Sequence, residues 1–80
     1  MRLIIYTKTG CPWCEEVLDF FDQNSIEYEE KEVISNSEFM EELKSKSGQS
    51  KAPTIDIDGE ILADKDVGVV KDFLKQKGIL

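Results

Sequence analysis

Eighty residues are enough for one domain, expected to span 1–80. Apolar residues at 40% and charged residues at 34% exclude wholesale disorder and describe a small globular domain. The net charge of −7 argues against nucleic-acid binding, since neutralising phosphates needs a clustered basic surface. No apolar run approaches the roughly 18 residues of a membrane span.

The opening segment, MRLIIYTKTG, is too short an apolar run for a secretory leader, so the reducing cytosol is the expected compartment. Within it, RLIIY (2–6) is a continuous apolar run with β-branched Ile4 and Ile5, the pattern of a strand buried on both faces. From Pro12 the pattern turns helical, with Val17, Leu18 and Phe21 on one face and Asn24-Ser25 as the stop. Ile26 and Tyr28 alternate in IEYEEKEV, and Val33 with Ile34 supplies a short second strand. Ser35 or Ser37 is the expected cap of the next helix, whose apolar face is Phe39, Met40 and Leu43.

SGQSKAP (47–53) is a loop by composition. TIDID and EILA flank Asp58-Gly59, the strongest short signal for a β-hairpin. From about Lys65, Val67, Val70, Phe73 and Leu74 share a helical face, and Gly78 is the expected stop. The order is β-α-β-α-β-β-α: a right-handed parallel crossover, then an antiparallel hairpin. A four-stranded mixed sheet of this kind needs helices on both faces, giving an α/β/α sandwich of three layers.

Both cysteines lie in YTKTGCPWCEE, spaced Cys-x-x-Cys at the start of the first helix. Proline is tolerated at a first helical position, so Pro12 makes Cys11 the N-cap. The Cys11 sulfur then lies where the free amides of Trp13 and Cys14 converge, at the positive end of the helix dipole. A thiolate is stabilised there, and the Cys11 pKa is expected to fall below about 8.5. Lys8 favours the anion, while Glu15 and Glu16 oppose it. Cys14, one turn inside and facing Cys11, is expected to be more buried and to stay protonated longer.

Magnitudes show what such a device achieves. Lowering a thiol pKa by about 2 raises the thiolate fraction at pH 7 about 25-fold. Intrinsic nucleophilicity falls about 8-fold in exchange, leaving roughly a 3-fold gain in attack. A low-pKa sulfur also leaves more readily, and its reduced form is stabilised. The helix entrance therefore serves reversible exchange. Three other readings of the pair exist. Two cysteines could fill a core. A zinc site would need carboxylates or a second chain, because the sequence has no histidine. An iron–sulfur cluster could be shared between two chains.

YTKTGCPWC, KAPTIDIDG and the terminal ILADKDV together resemble a glutaredoxin, of the thioredoxin-fold superfamily, over essentially the whole chain. The resemblance implies a thioredoxin-like sandwich, Cys11 as nucleophile and Cys14 as resolving thiol. It implies a cis Ala52–Pro53 bond facing the cysteines, with Ala52 offering backbone to a substrate; sequence alone reads Pro53 as a strand-start proline. Glutathione is the implied co-substrate, with no bound cofactor or metal. Its contacts map onto Lys8, Ala52, and Gln49 or Lys51. A Gly-Gly-x-Asp turn is expected for the γ-glutamyl end, but this chain reads LADKD: Ala63 and Asp64 replace the glycines, and Asp66 keeps the acidic place. Ala63 and Asp64 are expected to restrict positive φ there and to add charge. Asp64 and Asp66 read equally well as caps of the last helix. Trp13 is either an apolar contact for a substrate or an exposed ring without a role.

The implied activity is reduction of protein disulfides or glutathione mixed disulfides by a monomer, with disulfide-bearing client proteins as partners. The alternatives are a redoxin recycled by a flavin-dependent thioredoxin reductase and serving ribonucleotide reductase, or a metal- or cluster-binding module.

Overall fold

Strand β1 (Leu3–Thr7) is buried along its whole length, and its alternation divides the molecule into two cores. The computed structural model describes residues 2–80. In chain order β1 is followed by α1 (Pro12–Gln23), β2 (Glu29–Glu32), α2 (Ser37–Ser47), β3 (Thr54–Ile57), β4 (Glu60–Ala63) and α3 (Val67–Gln76). The sheet order is β2-β1-β3-β4, with β1 parallel to β2 and antiparallel to β3, and β4 antiparallel to β3. This is the expected thioredoxin-like sandwich, in the expected order.

Successive strand residues point to opposite faces, and the burial follows that rule. Leu3 and Ile5 join Val17, Phe21, Ile55, Ile57, Val70 and Leu74 in the larger core, under α1 and α3. Ile4 and Tyr6 join Val33 and Leu43 in the smaller core, under α2, with Phe39 and Met40 at its margin. The Asp58-Gly59 hairpin forms as expected, with positive φ at both residues (50° and 95°) as a two-residue turn of this hand requires.

Three expectations need correction. The second strand is Glu29–Glu32 rather than the segment at Val33 and Ile34. Ile26 and Tyr28 precede it and pack against the larger core, while Ile34 is 61% exposed. The reason is tertiary: the strand's partner is β1, in the register Ile4↔Glu29 to Thr7↔Glu32, and Val33 only extends it by an N–H···O bond to Thr7. The α2 cap is Asn36, whose side chain accepts from Glu38 and Phe39 amides at 3.0 and 3.3 Å; neither Ser35 nor Ser37 caps it. The last helix also starts at Val67, two residues beyond the expected Lys65.

A charged strand is tolerable at a sheet edge, where it also discourages further pairing. Its one buried side chain is Lys31, which pairs with Glu42 of α2 at 2.6 Å. Glu42 also accepts the Tyr6 hydroxyl proton at 2.5 Å, and Lys46 reaches Asp56 of β3 at 2.9 Å. This network fastens α2 across β2, β1 and β3. Among the described residues no helix is long and apolar enough to cross a membrane.

Glu42→Ala strands Lys31 and the Tyr6 hydroxyl, and is expected to cost about 2–3 kcal/mol in denaturant unfolding. That is below the ~3–5 kcal/mol of a fully buried pair, because Glu42 is 31% exposed. Hydrogen bonds from Lys31 and then Tyr6 hold the Glu42 carboxyl at about 2 instead of 4.5. Its contribution is therefore complete above pH ~4.5 and lost as pH falls through about 2. The variant should show a flatter acid limb than the parent protein.

Candidate active site

The end of β1 delivers the first cysteine to the start of α1. Lys8 carbonyl accepts the Cys11 amide at 3.2 Å, closing a turn whose third residue, Gly10, has φ of 80°. A side chain is disfavoured there, which explains glycine at this position. Pro12 occupies the first turn of α1, and Cys11 is its N-cap in an extended conformation. The Cys14 amide donates to Cys11 Sγ at 3.1 Å. The sulfur thus takes its bond from Cys14, not from Trp13 and Cys14 together as expected. The two Cα atoms are 5.2 Å apart and the sulfurs are in bonding contact, so the pair closes as an intramolecular disulfide. Cys14 is 2% exposed and Trp13 is 45% exposed.

The facing wall comes from the segment before β3. Ala52–Pro53 is a cis peptide bond, and the Ala52 carbonyl oxygen lies 3.8 Å from Cys11 Sγ. Cys11, Pro12, Trp13 and Ala52 line a shallow cleft of about 350 Å³. Lys8 lies at the base of the same turn, through its carbonyl bond to Cys11.

The other candidate residues have their own partners. Gln49 donates to Ser47 Oγ and Thr54 Oγ1 and accepts the Lys51 amide, so its side chain braces the loop leading to Ala52. Asp64 donates its backbone N–H to the Pro53 carbonyl at 2.9 Å, and its carboxylate lies 3.7 Å from Lys51 Nζ. Its φ is 56°, so the positive φ expected to require glycine is adopted by aspartate instead. Aspartate is among the residues that reach this region most readily. Asp66 caps α3, accepting the Val69 amide at 3.0 Å; Asp64 does not cap it.

Sequence reasoning passed over Glu32. Its carboxylate accepts the amides of Thr9, Ile34 and Ser35 and the Ser35 hydroxyl, at 2.6 to 3.0 Å. These bonds, Ser35's first, hold its carboxyl at about 2. Nothing in EEKE distinguishes this glutamate from its neighbours, so no local signal pointed to it.

The glutaredoxin family model matches residues 3–62, which contain both cysteines and Pro53. The chain belongs to the glutaredoxin family. Among curated relatives it is 34% identical over 58 residues to an uncharacterized glutaredoxin-like 8.6 kDa protein in the rubredoxin operon of Clostridium pasteurianum, covering 72% of this chain and 77% of that one. Among solved structures, the thioredoxin-like protein BC3987 superposes with a TM-score of 0.83 at 29% identity, over 91% of this chain and all of that one. A buckwheat glutaredoxin–glutathione complex superposes with a TM-score of 0.72 at 26% identity, over 98% of this chain and 71% of that one. Family and paired cysteines together make this glutaredoxin-like chain a thiol–disulfide oxidoreductase.

In the reduced protein, an alkylating agent is expected to label Cys11 and spare Cys14, because only the first sulfur opens onto the cleft. Peptide mapping after brief labelling reads this directly; preferential labelling of Cys14 would contradict the geometry.

Proposed function

We propose that this protein reduces protein disulfides and glutathione mixed disulfides, and that glutathione returns its cysteines to thiols. The observation that carries the chemistry is the Cys14 amide hydrogen bond to Cys11 Sγ at the helix entrance. The Cys11 thiolate attacks one sulfur of the substrate disulfide, forming a mixed disulfide and releasing the other sulfur as a thiolate that takes up a proton. Cys14 then loses its proton and attacks Cys11 Sγ, which releases the second substrate sulfur and closes Cys11–Cys14. Two electrons and two protons have passed to the substrate. Two glutathione thiols reverse the closure and leave as glutathione disulfide.

Three features support glutathione as the reductant. The cleft beside Cys11 offers an apolar wall at Trp13 and backbone at Ala52. Lys8 and Lys51 supply cations for a ligand bearing two carboxylates. A relative of the same fold was solved as its glutathione complex. The proposed setting is a reducing compartment, such as the cytosol, where such a pair cycles.

A second reading has a specific observation behind it. Lys51 is paired with Asp64, and Asp66 is committed to the α3 cap, so the charges available to a γ-glutamyl group are partly used internally. A redoxin re-reduced by a flavin-dependent thioredoxin reductase, with ribonucleotide reductase among its clients, would not need that subsite.

Side-by-side turnover separates the two readings. Glutathione-dependent reduction of a mixed disulfide is the expected result; turnover with thioredoxin reductase and NADPH alone would establish the second. Cys11→Ser should be inactive in both assays. Cys14→Ser should lose reduction of protein disulfides that need two thiols while retaining deglutathionylation.

A further inference from the structure

Strands β1 and β2 are paired as far as Thr7 and Glu32, and then the two chains diverge. One enters the Lys8–Cys11 turn; the other continues through Ile34 and Ser35 to the α2 cap. A single carboxylate spans the gap. Glu32 Oε2 accepts the Thr9 amide at 2.9 Å and the Ile34 amide at 3.0 Å. Its Oε1 accepts the Ser35 amide at 2.8 Å and the Ser35 hydroxyl at 2.6 Å.

We propose that Glu32 is a positioning residue for the nucleophile: it locks the Lys8–Cys11 turn and thereby sets where the Cys11 sulfur meets the helix entrance. Thr9 is a central residue of that turn, and its amide points away from the Lys8–Cys11 hydrogen bond that closes it. Without an acceptor there, the centre of the turn is held by the Lys8–Cys11 backbone bond between the end of β1 and the α1 cap. Ser35 holds one oxygen of the carboxylate, and this orientation aims the other at Thr9. A carboxylate suits the task because all four groups that meet it are donors. A glutamine has one acceptor oxygen and sets its NH₂ against donors, so it retains only one side of the bridge.

The proposal rests on the oxidoreductase reading, and its sign is distinctive. A glutamate acting merely as a nearby negative charge would disfavour the Cys11 thiolate, so its removal would speed attack. A glutamate that positions the turn does the reverse, because its loss loosens the amide cradle around the sulfur.

The test compares the parent protein with Glu32→Ala, Glu32→Gln and Ser35→Ala. Three quantities are read: single-turnover attack of the reduced protein on an aromatic disulfide, the Cys11–Cys14 equilibrium in a glutathione redox buffer, and thermal unfolding. Glu32→Ala should slow attack between about 10- and 100-fold, the scale of a small misplacement of a reacting group. It should also move the equilibrium toward the intramolecular disulfide by about 3- to 30-fold, since the reduced form loses thiolate stabilisation of the size of a helix cap. Glu32→Gln should fall between parent and alanine variant. Ser35→Ala keeps the Thr9 contact and should stay close to the parent in rate. Faster attack by a folded Glu32→Ala, or an unchanged rate and equilibrium, overturns the proposal. If Glu32→Ala does not fold, a folded Glu32→Gln with the parent's rate and equilibrium overturns it equally. A parent protein that reduces no disulfide sinks the oxidoreductase reading itself, whereas an active parent with unaffected Glu32 variants sinks this proposal alone.

Discussion

A single hydrogen bond, from the Cys14 amide to the Cys11 sulfur, is what the rest of the fold is arranged to maintain. In a helix the first amides have no intrahelical partner, and an N-cap side chain is their usual acceptor. Here the acceptor is a sulfur, and the group that satisfies the helix is also one half of the cysteine pair. Because a thiolate is a better acceptor than a thiol, the helix stabilises the reduced anion most. Pro12 assists by fixing the backbone angle of the first turn without wasting a donor.

The second requirement is a wall opposite that sulfur, and the sheet provides it through register. β1 and β3 are antiparallel neighbours, with Tyr6 paired to Thr54. The segment leaving β1 and the segment entering β3 therefore emerge at the same end, about one strand spacing apart. Cys11 follows the first and Ala52 precedes the second, which brings the Ala52 carbonyl to 3.8 Å from Cys11 Sγ. Buried Tyr6 and Thr54 make this register hard to slip, since a one-residue shift would send each side chain to the opposite face of the sheet. The active end is thus carried by the two buried central strands of the sheet.

Much of this was legible because it is written in local pattern. The apolar run before Thr7, the Pro12 helix start, the Asp58-Gly59 turn and the face formed by Val67, Val70, Phe73 and Leu74 each carry their own signal. Where the reading fails, the course of the chain is set by contacts that local pattern does not carry. EEKE becomes a strand because β1 pairs with it and because Lys31 finds Glu42 on α2. Asn36 outcompetes its serine neighbours as cap only once the chain leaves β2 in that direction. At the site, Cys11, Cys14 and Pro53 could be placed from their motif, whereas the internal partners of Gln49, Asp64 and Glu32 could not. Asp64 meets Lys51 and Glu32 meets Thr9 across the fold, whereas Gln49 turns to Ser47, Lys51 and Thr54 of its own loop, whose course no motif specifies.

Asp64 shows how a departure from the family pattern is absorbed. Its backbone takes a positive φ despite carrying a side chain, and that side chain turns to Lys51. The aspartate thus adds a charge beside the loop that carries Ala52, and Lys51 balances it. Ultraviolet thiolate absorbance, titrated against pH in the reduced protein and in Cys11→Ser, tests the helix entrance most directly. A transition that belongs to Cys11 and lies clearly below pH ~8.5, the value of an unperturbed cysteine, is the expected result. A Cys11 transition at or above that value would contradict the role given to the Cys14 amide.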